Sequence, residues 1–151
     1  MEFRIPRPLT VEHAELHAEL RRATKVKGQV GAAAARVAEL LHPHFVKEEE
    51  YALPPLGLLG ALARGEVTED MRAVLPMTDR LRTELPHMLA EHRAVVGALR
   101  KLSAAAKRAR RPGVVRFAEK LVLHARTEEE VLYPAAILVG DYVRRRLPTV
   151  I

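Results

Sequence analysis

The sequence predicts an all-α protein: a four-helix up-down bundle made of two pseudo-repeated helix pairs. Three observations carry this. Alanine (23) and leucine (21) dominate the 151 residues, while aromatics make up only 4%. That balance suits helices, because Ala and Leu lose little on entering a helix and fit a pleated surface poorly. Four segments place apolar residues three or four apart, the step that keeps to one helix face. The chain also repeats itself. At a shift of 80, residues 37–60 and 117–140 are identical at ten of 24 positions, among them His44/His124, Glu48/Glu128, Pro54/Pro134 and Gly60/Gly140. The preceding helices align at a shift of 79, Glu12-His13 on Glu91-His92. Two such helix pairs close into a four-helix bundle. A single domain over 1–151 is expected, with repeat halves at about 9–60 and 81–140.

The first helix is expected from Thr10, an N-cap residue type, to about Val26, with Leu9, His13, Leu16, Leu20 and Ala23 facing inward. The second runs from about Gln29 to Ala52, with Val30, Ala34, Val37, Leu41, His44, Glu48 and Tyr51 on one face. A Pro/Gly-rich connection follows from Leu53 to Gly60, with a short helical turn inside it. The third helix is expected from near Thr68 to about Ala109, with Leu81, Leu85, Leu89, His92, Val96, Leu99 and Leu102 inward. Pro76 and Pro86 are expected to kink or break it, since each removes a backbone donor. The fourth opens after Pro112, a first-turn proline, with Val114, Phe117, Leu121, His124, Glu128, Val131 and Ala135 inward. Pro134 is expected to bend or end it, and a further helical piece follows from Ala135 to Leu147.

Composition narrows the chemistry. Cysteine is absent, which excludes disulfides, thiolate-held metals and a thiol nucleophile. Any metal must be held by His, Asp or Glu. Net charge is +6, but the basic residues gather at helix carboxyl ends (Arg100 to Arg111, Arg144 to Arg146) without interleaved aromatics. They read as solvated helix termini, where cations are favourable, and no nucleic-acid partner is expected. No apolar stretch follows Met1 to Pro8 and no window reaches the ~18 apolar residues of a membrane span. A cytoplasmic protein without a membrane partner is expected.

Each inward stripe contains one histidine, and in two of them a glutamate follows four residues later. Buried His and Glu are costly unless paired or bound. Residues four apart on a helix are neighbours, so His44 with Glu48 and His124 with Glu128 form two imidazole–carboxylate edges. Adding His13 and His92 gives each of two metals two nitrogens and a share of two bridging carboxylates, with open positions left for a small ligand. Mixed imidazole and carboxylate donors suit iron, then manganese or zinc. Two iron ions, oxo- or hydroxo-bridged, are the expected cofactor.

The chain resembles the hemerythrin-like, or HHE cation-binding, domains. The matching residues are Glu12-His13, His44-Phe45-Val46-Lys47-Glu48-Glu49, Glu91-His92, and His124-Ala125-Arg126-Thr127-Glu128-Glu129 with Tyr133-Pro134. The resemblance implies that His13, His44, His92 and His124 are terminal iron ligands and that Glu48 and Glu128 bridge. It implies binding of dioxygen or a related diatomic ligand such as nitric oxide. Two departures stand out. The oxygen carriers of the family place a fifth histidine on the third helix at i, i+4 spacing, whereas His87 and His92 are five apart here. They also bridge with an Asp five residues after the last His, where this chain has Glu at four. His17, four residues after His13, is a further ligand candidate or sits behind His13. His42 and His87 are expected at the surface, Glu49, Glu50, Glu129 and Glu130 on solvated faces, and Tyr51 and Tyr133 in the core or hydrogen-bonded to ligands. The alternatives are a di-iron enzyme of nitric oxide or peroxide reduction or iron–sulfur repair, and a helical interaction module without metal. Nothing in the chain names a protein partner.

Overall fold

A computed structural model gives the fold, and it describes residues 3–149. Met1 and Glu2, which open the stretch read above against a leader, lie outside the described residues, as do Val150 and Ile151. Every regular element among the described residues is helical. Helix α1 spans Arg7–Thr24 and α2 spans Gln29–Lys47. A π-helical turn at Glu48–Ala52 and a 3₁₀ turn at Pro54–Leu58 lead into the short α3, Leu59–Ala63. A 3₁₀ turn at Glu69–Val74 opens α4, Leu75–Arg108. Helix α5 is Pro112–Thr127, a second π turn covers Glu128–Leu132, and α6 is Tyr133–Arg146.

Packing follows from the stripes. Helix α2 lies against α1 and α4, and α5 against α4 and α1. The buried apolar residues fall into clusters. One gathers Leu16 and Leu20 of α1, Val37 and Leu41 of α2, Val95 and Leu99 of α4, and Phe117 and Leu121 of α5. A second gathers Tyr51, Leu53, Leu81, Met88, Tyr133 and Ala136, with Ile5 and Leu9 against it. On each of the four long helices the inward histidine separates these two clusters. Reading from one cluster to the other reverses between successive long helices, so the bundle runs up-down-up-down. A third cluster, with Leu62, Met71, Val74 and Val143, closes the base beneath α3 and α6. Gly140 of α6 lies tight against Thr78 of α4, where a Cβ would meet the threonine side chain. Among the described residues no helix is long and apolar enough to cross a membrane.

Several boundaries differ from the sequence reading. Helix α1 begins at Arg7 with Pro8 in its first turn, not at Thr10, which makes no capping hydrogen bond. Proline is pre-organised for the first turn, so it starts the helix three residues early. Thr68 stands before a 3₁₀ turn, and α4 itself starts at Leu75. Pro76 therefore sits in a first turn, where its missing donor costs nothing, and does not interrupt the helix. Pro86 lies inside α4 without breaking it. It is exposed, so water can satisfy the carbonyl it leaves free.

The inward face also drifts. Along α4, Met88 and Val95 are buried, while Leu89 and Val96 are only half-buried. The seam alternates steps of four and three, as near-antiparallel bundle helices pack. Past Glu128, Val131 is 55% exposed and Tyr133 takes the buried place. The π turn is the cause. The backbone N–H of Leu53 donates to the Glu48 carbonyl, and that of Tyr133 to the Glu128 carbonyl, five residues back. Each donor immediately precedes a proline. A proline ring clashes with the carbonyl four residues before it, and a wider turn relieves that clash. Pro134 thus neither ends nor breaks the helical path but shifts its face by one position.

Candidate metal centre

The turns just described set where the carboxylates point. Glu48 and Glu128 each occupy the first position of a π turn, one turn after His44 and His124. π turns widen the helix and recur at functional sites. His13, His44, Glu48, His92, His124 and Glu128 are all buried, Glu48 and His44 completely. They converge in two groups whose donor atoms lie within 4.8 Å of one another: His44, Glu48, His92 and Glu128 in one, and His13, His124 and Glu128 in the other. Glu128 belongs to both. Its Oε1 is 3.2 Å from His92 Nε2 and its Oε2 is 3.2 Å from His124 Nε2. His13 Nε2 lies 3.2 Å from His124 Nε2.

The four imidazoles turn Nε2 toward the centre, and three turn Nδ1 toward a carboxylate. His92 Nδ1 is 2.9 Å from Glu129 Oε1, and His124 Nδ1 is hydrogen-bonded to Glu12. His44 Nδ1 is 3.7 Å from Glu91 Oε1, which Lys47 Nζ holds at 2.9 Å. His13 is instead held face to face by Phe45, with ring centroids 4.5 Å apart. A carboxylate behind a ligating imidazole fixes its orientation and raises its basicity. Glu12 precedes His13 yet serves His124, and Glu91 precedes His92 yet serves His44, so each helix pair steadies the other's ligand.

Without a cation the centre is electrostatically frustrated. Burial, then the charge on Glu128, pushes the Glu48 carboxyl well above its ordinary range. Burial also works against ionised Glu128, but the polar contacts of Glu48 and of the imidazoles of His124, His13 and His92 around it outweigh that and hold the carboxyl well below the ordinary range. The two carboxyls are thus coupled, and Glu128 ionises more readily than Glu48. Burial and the neighbouring His92 lower His44 to about 4. For His124, burial is overcome by Glu128 and Glu12, which raise it. Two carboxylate oxygens, Glu48 Oε1 and Glu128 Oε2, and His44 Nδ1 are buried without a hydrogen bond. Each such atom costs about 1–3 kcal/mol. Cations seated in the two groups would take up both oxygens and let both carboxyls ionise. The donor set fits a pair of divalent or trivalent metals.

A family model described as the hemerythrin HHE cation binding domain matches residues 5–136. The chain belongs to this family. Comparison with curated proteins gives no match, and comparison with solved structures gives none. The HHE match spans α1 through the start of α6 and therefore every residue of both donor groups.

Several features of this HHE centre refine or correct the sequence reading. Tyr133 is fully buried, and its hydroxyl donates to Glu48 Oε2 at 2.9 Å while lying 3.1 Å from both His44 Nε2 and His92 Nε2. The equivalent position in the first half is Leu53, so the repeat gave no hint of it. Glu48 accordingly falls in one group only, not shared as the symmetric reading expected. Glu129 is not on a purely solvated face but holds His92. Glu12 and Glu91 were visible as paired Glu-His dipeptides, although their partners lie on other helices. His17 is half-buried against the edge of Phe45, with ring centroids 4.5 Å apart, and falls in neither donor group. Phe45 thus touches both His17 and His13. His42 and His87 are exposed.

Two expectations follow. Tyr133→Phe leaves Glu48 Oε2 without its donor and should destabilise the metal-free protein by about 1–3 kcal/mol, read from urea unfolding. His17→Ala, like His87→Ala, should leave the bound metal content unchanged by elemental analysis, because neither side chain reaches a donor group.

Proposed function

We propose that this is a cytoplasmic, single-domain, non-haem di-iron protein that binds dioxygen or a related small diatomic ligand. The observation that carries the proposal is the pair of buried donor groups sharing Glu128, with carboxylate oxygens left unpaired in each. His44, His92, Glu48 and Glu128 would hold one ion, and His13, His124 and Glu128 the other. Iron is favoured by the mix of imidazole and carboxylate, with manganese or zinc as the nearest substitutes. Bound iron supplies reversible redox chemistry and open positions for a small ligand. The chain supplies the rest. Its two apolar clusters exclude water on either side, Glu12, Glu91 and Glu129 aim the imidazoles, and Phe45 covers His13.

Binding is favoured over turnover by what lies inside. Among the described residues, the buried hydroxyl-bearing and charged side chains beyond the donors and Tyr133 come down to Thr78, which lies on α4 and hydrogen-bonds the Leu75 carbonyl, and Tyr51, whose hydroxyl donates to Met88 Sδ. That leaves few groups to relay protons. The test is iron reconstitution followed by elemental analysis and stopped-flow mixing of the reduced protein with oxygen, nitric oxide and peroxide. Two irons per chain and a spectral change with oxygen or nitric oxide are expected, without rapid multiple turnover. One iron that excess cannot raise rules out the dinuclear reading. Sustained turnover at about 1–10³ per second moves the protein to the enzyme class.

A further inference from the structure

One cleft reaches the metal centre from outside. It lies between α4 and α5, holds about 410 Å³, and is lined by His92 and Glu129 together with Arg93, Arg100 and Arg126. Its apolar wall includes Val96, Val122 and Ala125. His92 spans the boundary. Its Nε2 faces Glu128 within the donor group, while its Nδ1 is bonded to Glu129, whose side chain is 36% exposed. One imidazole and one hydrogen bond therefore separate the proposed metal from the cleft.

The charge around that cleft is unbalanced. Arg93, Arg100 and Arg126 are exposed, and none makes an ion pair among the described residues. Among the described residues some exposed arginines elsewhere are matched, Arg82 by Asp141 and Arg144 by Asp79, and others, such as Arg22 and Arg116, are not. Glu129 is the one carboxylate lining the cleft, and His92 engages it. The cleft at α1 and α5, lined by Arg22 and Arg116, is also basic but contains no donor residue.

We propose that the α4–α5 cleft is the docking surface of an acidic one-electron carrier protein, with Arg93, Arg100 and Arg126 as its electrostatic guide and Glu129–His92 as the contact to the metal. The occupant follows from charge complementarity and from the chemistry behind the cleft. Complementary potentials steer encounter and fix register, and a di-iron pair needs electrons one at a time. At each docking the carrier is oxidised by one electron and the metal pair is reduced by one. No bond forms or breaks, and two encounters reduce both ions. The inference rests on the di-iron reading above.

The test uses a reduced flavodoxin as the acidic carrier. Stopped-flow reduction of the oxidised, iron-loaded protein at low salt is compared between the wild type, Arg93→Glu/Arg126→Glu, and a control of equal charge change, Arg22→Glu/Arg116→Glu. Reduction should be about tenfold or more slower in the first variant, within the range of electrostatic steering, and nearly unchanged in the control. Equal slowing in both variants, or in neither, overturns the proposal. A second arm needs no iron. Oxidised flavodoxin is titrated into the full-length, metal-free chain carrying ¹⁵N-labelled arginine. Shifts confined to Arg93, Arg100 and Arg126 support docking, and scattered or absent shifts overturn it. Failure to retain iron would count against the di-iron reading alone, since this arm still reports on the surface.

Discussion

Glu128→Ala is expected to strip one metal ion and weaken the other, where Glu48→Ala weakens one alone. The difference comes from the asymmetry of the centre. Glu128 stands in both donor groups, with one oxygen toward His92 and the other toward His124. Glu48 stands in one, and its Oε2 is held by Tyr133. Removing Glu128 leaves His13 and His124 as the only donors of their group, too few for a stable site. Removing Glu48 leaves that group untouched. Elemental analysis after desalting should give at most one ion per chain for Glu128→Ala and more than one for Glu48→Ala. Equal loss in both variants would restore the symmetric, doubly bridged centre that the sequence repeat suggests.

Stripping the metal from the wild-type protein by chelation should lower its melting temperature by roughly 10 °C. Burial opposes ionisation of Glu48, and buried carboxylate oxygens stand without a hydrogen bond. Binding free energy in such a site is folding free energy. Free metal at about a thousand times its dissociation constant adds about 4 kcal/mol. Each kcal/mol moves the midpoint by about 2–4 °C at this chain length. Calorimetry of the chelated and reloaded protein measures it. Coincident melting would mean that the buried donors do not hold metal in the folded state.

The fold and the buried His/Glu cluster were legible because both rest on spacing. A histidine on each inward stripe, with a glutamate one turn later in two of them, is a local pattern that survives without knowledge of packing. Where the reading slipped, the cause was non-local or a change of period. Val131 was placed inward by a constant helical step, but the π turn before Pro134 moved Tyr133 there instead. The signal was present in both halves, a glutamate six residues before a proline, yet its consequence depends on how a proline clash is relieved. Glu129 was read as solvated because on its own helix it is off the stripe. Its partner is His92 on α4, and no period along one helix reveals that. Tyr133 was expected in the core or bonded to a ligand, and the structure places its buried hydroxyl on Glu48.

The two π turns carry a consequence for how the ion is acquired. Both are set by prolines, which are covalent and present in every state of the chain. The carboxylate edges therefore take their geometry when the backbone folds, before any cation is near. The conformational entropy of shaping the centre is incurred during folding and not at loading. Ion capture should then be paced by the shedding of hydration water, with little rearrangement of helices. In this protein two imino acids, remote from the ligands in chemistry, set the backbone path on which both carboxylates stand.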